Sequence, residues 1–157
     1  MFLVIAFLTL AGPATASANT AMKIVAEPDS DFSLADDEWW EPELRRWSLN
    51  GTTFGYLGAG NANFKYKYVR CLGGEVRGEL IIDAYRWSSA TAATVTAHLD
   101  LYEGTSCSTT DYEGQSPHLT FTLKIGETKR VNTSVWNDVE GAHDFAAFDI
   151  YFRAMAA

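Results

Sequence analysis

The stretch "ATVTAHLDLY", Ala93 to Tyr102, places Ala93, Val95, Ala97, Leu99 and Leu101 on one side of an extended chain and Thr94, Thr96, His98, Asp100 and Tyr102 on the other. Successive side chains of a strand point to opposite faces, so this alternation marks a strand with one face in a core and the other in water. The same period recurs along the chain. Phe64–Tyr68 alternates aromatic with basic residues, and Leu119, Phe121, Leu123 and Ile125 alternate with Thr120, Thr122 and Lys124. Val131, Thr133 and Val135 oppose Arg130, Asn132 and Ser134, and Ala146, Phe148, Ile150 and Phe152 oppose Asp149, Tyr151 and Arg153. Val76–Trp87 carries large apolar residues on both faces, as a strand in the middle of the fold would.

Adding a short strand at Thr53–Leu57 gives about seven strands, separated by turn signals such as Gly73-Gly74, Glu103-Gly104, Glu113-Gly114 and Glu140-Gly141. No helical stretch lies between them, and parallel pairing needs a crossover, so βαβ units are excluded. The expected fold is all-β: an antiparallel β-sandwich of immunoglobulin-like or jelly-roll-like type, with a closed barrel as its main competitor.

The remainder of the chain reads differently. Phe2–Leu10 is an apolar run broken by Gly12-Pro13, and Ala14-Thr15-Ala16 and Ala16-Ser17-Ala18 fit the small-x-small rule for signal cleavage. The run is shorter than the roughly 20 residues of a membrane-spanning helix. Residues 1–18 are therefore expected to be a signal peptide, although no Lys or Arg precedes the apolar run, and the product a secreted, extracellular protein without stable membrane insertion. Residues 19–50 form an acidic segment, with Glu27, Asp29, Asp31, Asp36, Asp37, Glu38, Glu41 and Glu43 against Lys23, Arg45 and Arg46; residues 51–157 form the sandwich domain.

Within the acidic segment, "DDEWWEPELRRW" (36–47) holds three of the five tryptophans. Trp40, Leu44 and Trp47 follow helical spacing, with acids at the start and Arg45-Arg46 near the end, in the order a helix dipole favours. A short N-terminal helix plugging the sandwich is the expectation. The competing reading makes Trp39, Trp40 and Trp47 a ligand platform, with Trp39, off the apolar face, the first contact.

Cys71 and Cys107 are the two cysteines, and an even pair in an exported chain reads as a disulfide. The loop it closes, of roughly 35 residues, makes it worth about 3–4 kcal/mol. Asn50-Gly51-Thr52 and Asn132-Thr133-Ser134 match the N-glycosylation acceptor pattern, which makes Asn50 and Asn132 candidate sites. The acidic loops Asp111–Ser116 and Asn137–Asp144 offer oxygens, but neither has calcium-loop spacing, and His98, His118 and His143 show no zinc spacing, so neither metal nor cofactor is expected.

The net charge of −8 disfavours binding to nucleic acid and to anionic lipid. No G-x-S-x-G is present, and no carboxylate pair stands out among twenty acids. The functional expectation is a non-catalytic binding module for saccharide or protein. The alternatives are a small secreted hydrolase acting on polysaccharide through carboxylates, and a secreted inhibitor presenting the loop around Cys107.

Overall fold

In a computed structural model, which describes residues 20–36, 43–58, 60–87, 91–137 and 143–157, the chain forms eleven strands and no helix among the described residues. In chain order these are β1 (Met22–Ala26), β2 (Asp31–Asp36), β3 (Glu43–Ser48), β4 (Thr53–Leu57), β5 (Asn63–Leu72), β6 (Val76–Tyr85), β7 (Ala92–Tyr102), β8 (Tyr112–Gln115), β9 (Leu119–Lys124), β10 (Thr128–Trp136) and β11 (Phe145–Ala156). All pairings are antiparallel. No described helix is long and apolar enough to cross a membrane.

Two sheets face each other. The first holds β3-β2-β11-β1-β4 with β10 on the far side of β11, and the second holds β5-β6-β7-β8 with β9 also on β7. Strand β11 pairs with β2 through Phe145–Asp149 and with β1 through Phe152–Ala156, so β1 and β2 are two halves of one lane. The interruption between them is the turn at Glu27–Ser30, where Asp29 takes a φ of 67°. Asp tolerates this left-handed region better than most residues because its short side chain can bond locally. Likewise β8 and β9 share one lane along β7.

Followed around the two sheets, each lane therefore lies beside the lane that follows it in the chain, and β11 returns to β1. The sandwich expectation holds, but the connectivity is up-and-down, not the Greek key of immunoglobulin-like and jelly-roll folds. At one corner the Gly58–Asn61 bridge turns β4 into β5, and the Phe64 ring lies so close over Gly55 that any Cβ there would run into it. At the other corner the Lys124–Glu127 turn leads β9 into β10.

The alternation read from sequence fills the core as expected. Val95, Ala97, Leu99 and Leu101 of β7 and Leu123 of β9 are fully buried, facing Ala146, Phe148, Ile150 and Phe152 of β11. Strand β6 lies between β5 and β7, which accounts for its two apolar faces.

Two expectations are corrected. Residues 19–50, read as an acidic segment preceding the sandwich, include three strands of the first sheet, β1, β2 and β3, with Ile24, Phe32 and Leu34 fully buried. The helix expected through Trp40, Leu44 and Trp47 is not formed over Glu43–Ser48, which is the extended strand β3. Three-residue spacing places Leu44 and Trp47 on opposite faces of a strand. Leu44 is accordingly 65% exposed, whereas Trp47 packs inward against Phe32 with ring centroids 6.1 Å apart. Pairing with β2 outweighs the helical pattern because β3 completes the sheet edge, burying Trp47 and adding a hydrogen-bonded ladder. Trp39 and Trp40 lie outside the described residues.

Candidate functional site: a groove across the first sheet

The loops following β2, β5, β7 and β10 gather at one end of the sandwich, and of the candidate residues read from sequence Cys71 and Cys107 lie there. Cys71 and Cys107 form the expected disulfide, with Cα atoms 5.8 Å apart, and tie the end of β5 to the β7–β8 connection. Arg77 reinforces that tie: its Nη1 donates to the carbonyl oxygens of Cys107 (2.9 Å) and Thr109 (2.6 Å), and its guanidinium stacks on Tyr102.

On the outer face of the first sheet at this end, the strand registers align one residue from each lane. Trp136 of β10 pairs with Phe145 of β11, Phe145 with Ala35 of β2, and Ala35 with Leu44 of β3. Their neighbours Val135, Ala146 and Leu34 point into the core, so these residues point out. Trp136 is 50% exposed, and its ring packs on Phe145 with centroids 4.6 Å apart and planes tilted by 35°. Its indole N–H donates to Ser134 Oγ at 3.1 Å, which orients the ring. Ala35 is small and leaves a gap between the walls formed by Phe145 and Leu44. The resulting cavity of about 250 Å³ is lined by these residues together with Asp36, Glu43 and His143. That is near the lower limit of small-molecule sites, roughly 300–1,000 Å³.

A second group lies beside the groove. Glu103, just past β7, accepts a hydrogen bond from the Asn137 side-chain amide and shares another with Asp144. Asn137 and Asp144 are buried, and the Asn137 backbone N–H donates to the Asp144 carbonyl at 2.9 Å, extending the β10–β11 ladder past Trp136 and Phe145. Burial, with the neighbouring Asp144 carboxylate adding to it, raises Glu103 to about 7. Among the described residues, no three of His, Cys, Asp and Glu are grouped so as to hold a metal ion.

Of the residues singled out in the sequence, Trp47 faces the core edge and takes no part in the groove. Asn50 is exposed in the turn after β3, its N–H held by Ser48 Oγ, and Asn132 is exposed on the outer face of β10. The Asp111–Ser116 stretch, expected as a loop, contributes β8. Trp136 and Phe145, which the sequence reading omitted, follow from its own alternation: one further step along the outer face from Ser134 reaches Trp136, and stepping back from Asp149 reaches Phe145. Comparison of the chain with protein-family models, curated proteins and solved structures finds no significant match.

Proposed function

We propose that the protein is an exported, non-catalytic binding module that seats a saccharide in the groove across the first sheet. The observation that carries this reading is the row Trp136, Phe145, Ala35 and Leu44, an open aromatic and aliphatic trough with Asp36, Glu43 and His143 at its end. A pyranose presents C–H groups to aromatic faces and hydroxyls to carboxylates and imidazole, so both halves of its chemistry find partners there. The disulfide is in keeping with an oxidising, extracellular setting.

The hydrolase alternative would draw on Glu103 and Asp144. Carboxyl groups that cleave glycosides stand about 5–5.5 Å apart in retaining enzymes and 6.5–9.5 Å in inverting ones. Glu103 shares a hydrogen bond with Asp144, which leaves no gap between them for a glycosidic oxygen or a water, and Asp144 is buried. Their geometry favours a structural role and supports binding over cleavage.

The test is a glycan array followed by calorimetric titration of the hits against the wild-type protein and Trp136→Ala. Binding that depends on Trp136, without turnover of the glycan, is the expected result. Glycan binding unaffected by Trp136→Ala, or release of reducing ends, would overturn the reading.

A further inference from the structure

The Glu103 cluster lies where three segments meet and is continuous with the groove. Asn137 directly follows Trp136, and Asp144 directly precedes Phe145, so each groove aromatic is one residue from a member of the cluster. Glu103 belongs to the second sheet's side, just past β7, whereas Asn137 and Asp144 end β10 and precede β11 of the first. Among the described residues, the groups that act on Glu103 are Asn137, Asp144 and Glu113 of β8. Arg77, the cation near the same loop, is engaged with Glu79 and with the carbonyls of Cys107 and Thr109.

We infer that Glu103, Asn137 and Asp144 form a proton-operated latch between the two sheets, closed when Glu103 carries a proton and released when it does not. Protonated, Glu103 can donate to the Asp144 carboxylate while accepting from Asn137, so the half-buried Glu103 and the buried Asn137 and Asp144 are all satisfied. Ionised, Glu103 can only accept, and two carboxylates then confront each other at hydrogen-bonding range with Glu113 adding a third negative charge. The strain falls on the Asn137–Asp144 ladder bond, which holds Trp136 and Phe145 in register. The charge state of Glu103 thereby sets the order of the groove. The consequence for ligand affinity rests on the reading of the groove as the binding site; the latch itself does not.

Hydrogen–deuterium exchange of the ligand-free protein tests the latch alone. Between about pH 6 and pH 8, exchange at Asn137 and at the amides after Glu103, corrected for its intrinsic pH dependence, is expected to rise about tenfold or more, each pKa unit of coupling being a factor of ten. Glu103→Gln, neutral at every pH yet able to donate and accept, should remove that rise. Asp144→Asn, which removes the like charge that raises Glu103, should abolish the rise between about pH 6 and pH 8 or move it to a more acidic range. A rise that persists in both variants, or none in the wild-type protein, would overturn the latch. So would calcium ions suppressing the rise in the wild-type protein, since the carboxylates would then be holding a cation and not a proton. If the latch holds while the glycan array stays empty, the failure lies with the proposed ligand.

Discussion

The imidazoles of His98 and His118 lie stacked, with centroids 4.0 Å apart and planes 6° apart, on the outer face of the second sheet. His118 Nε2 meets Gln115 Oε1 at 2.9 Å, and Gln115 in turn donates to Asp100 Oδ1 at 2.7 Å. His98 Nδ1 is buried with no hydrogen-bond partner. Burial first, and His118 second, push His98 below its ordinary value of 6.5, against the weaker pull of Asp100 and Asp83. The unfolded chain then binds more protons than the native one just below pH 6.5, so the contribution of His98 to stability is full above that pH and declines as the pH falls towards its native value. Glu103 acts in the opposite sense: its raised native value means that its stabilisation is full below about 4.5 and is lost as the pH rises through about 7. Urea unfolding of His98→Phe, which keeps a ring in the stack but cannot titrate, should therefore lose less stability than wild type between about pH 7 and pH 5.5. Equal losses in the two proteins would show that the stack has no part in the acid response.

Trp136 stands half out of the fold, so its removal separates binding from folding. Trp136→Ala should lower ligand affinity by about 2 kcal/mol, roughly thirtyfold, as for a central aromatic anchor. The melting temperature should change little, because the ring packs mainly on Phe145 and not in the core. Leu44→Ala, on the opposite wall of the groove, should weaken binding less. A fall in melting temperature of more than about 5 °C for Trp136→Ala would assign the indole to the core instead.

Gly78 marks a close approach of the two sheets. A Cβ at this position would run into Leu34 Cδ2, lie 2.8 Å from Phe32 Cζ and stand 3.2 Å from Ala146 Cβ. Gly78→Ala should cost about 1–3 kcal/mol by overpacking. Combined with Leu34→Val, the loss should be smaller than the sum of the two single losses, because the added methyl occupies the space vacated. Strict additivity in chemical denaturation would mean that the sheets do not touch there.

The Cys71–Cys107 bridge closes a loop with a sequence separation of 36, which the chain-entropy account values at about 3–4 kcal/mol. Cys71→Ser with Cys107→Ser should lower stability by about that amount, with part of the loss recovered if Arg77 still holds the Cys107 and Thr109 carbonyls. Comparing denaturant midpoints of Arg77→Leu, the double Ser variant and the combination measures that recovery. If Arg77 and the bridge hold the same loop, the combined loss exceeds the sum.

Much of the fold was legible because alternation is a local property. The apolar faces of β7, β9 and β11 were read directly, and Thr53–Leu57 was placed at its observed bounds. Strands β1 and β2 were overlooked although Phe32 and Leu34 alternate with Asp31 and Ser33. The acidic composition of that segment and its Pro28-Asp29 break interrupt the pattern there. Strand β3 was misread because Leu44 and Trp47 are equally compatible with a helix face. Only the ladder to β2, from Asp31↔Ser48 to Asp36↔Glu43, decides between the two.

The sequence by itself determined that the chain is built of antiparallel strands with one face dry, that its two cysteines could close a loop, and that its surface is acidic. These follow from side-chain chemistry and from a repeat of two, which each segment carries alone. Only the tertiary structure decided which residues stand together. Ala35, Leu44, Phe145 and Trp136 meet because the strand registers align them, and Glu103 finds Asp144 because the second sheet folds over the first. Register is a relation between strands, set by the pairing of whole ladders and the packing of two sheets, and a shift of a single residue would turn every side chain of the groove to the opposite face.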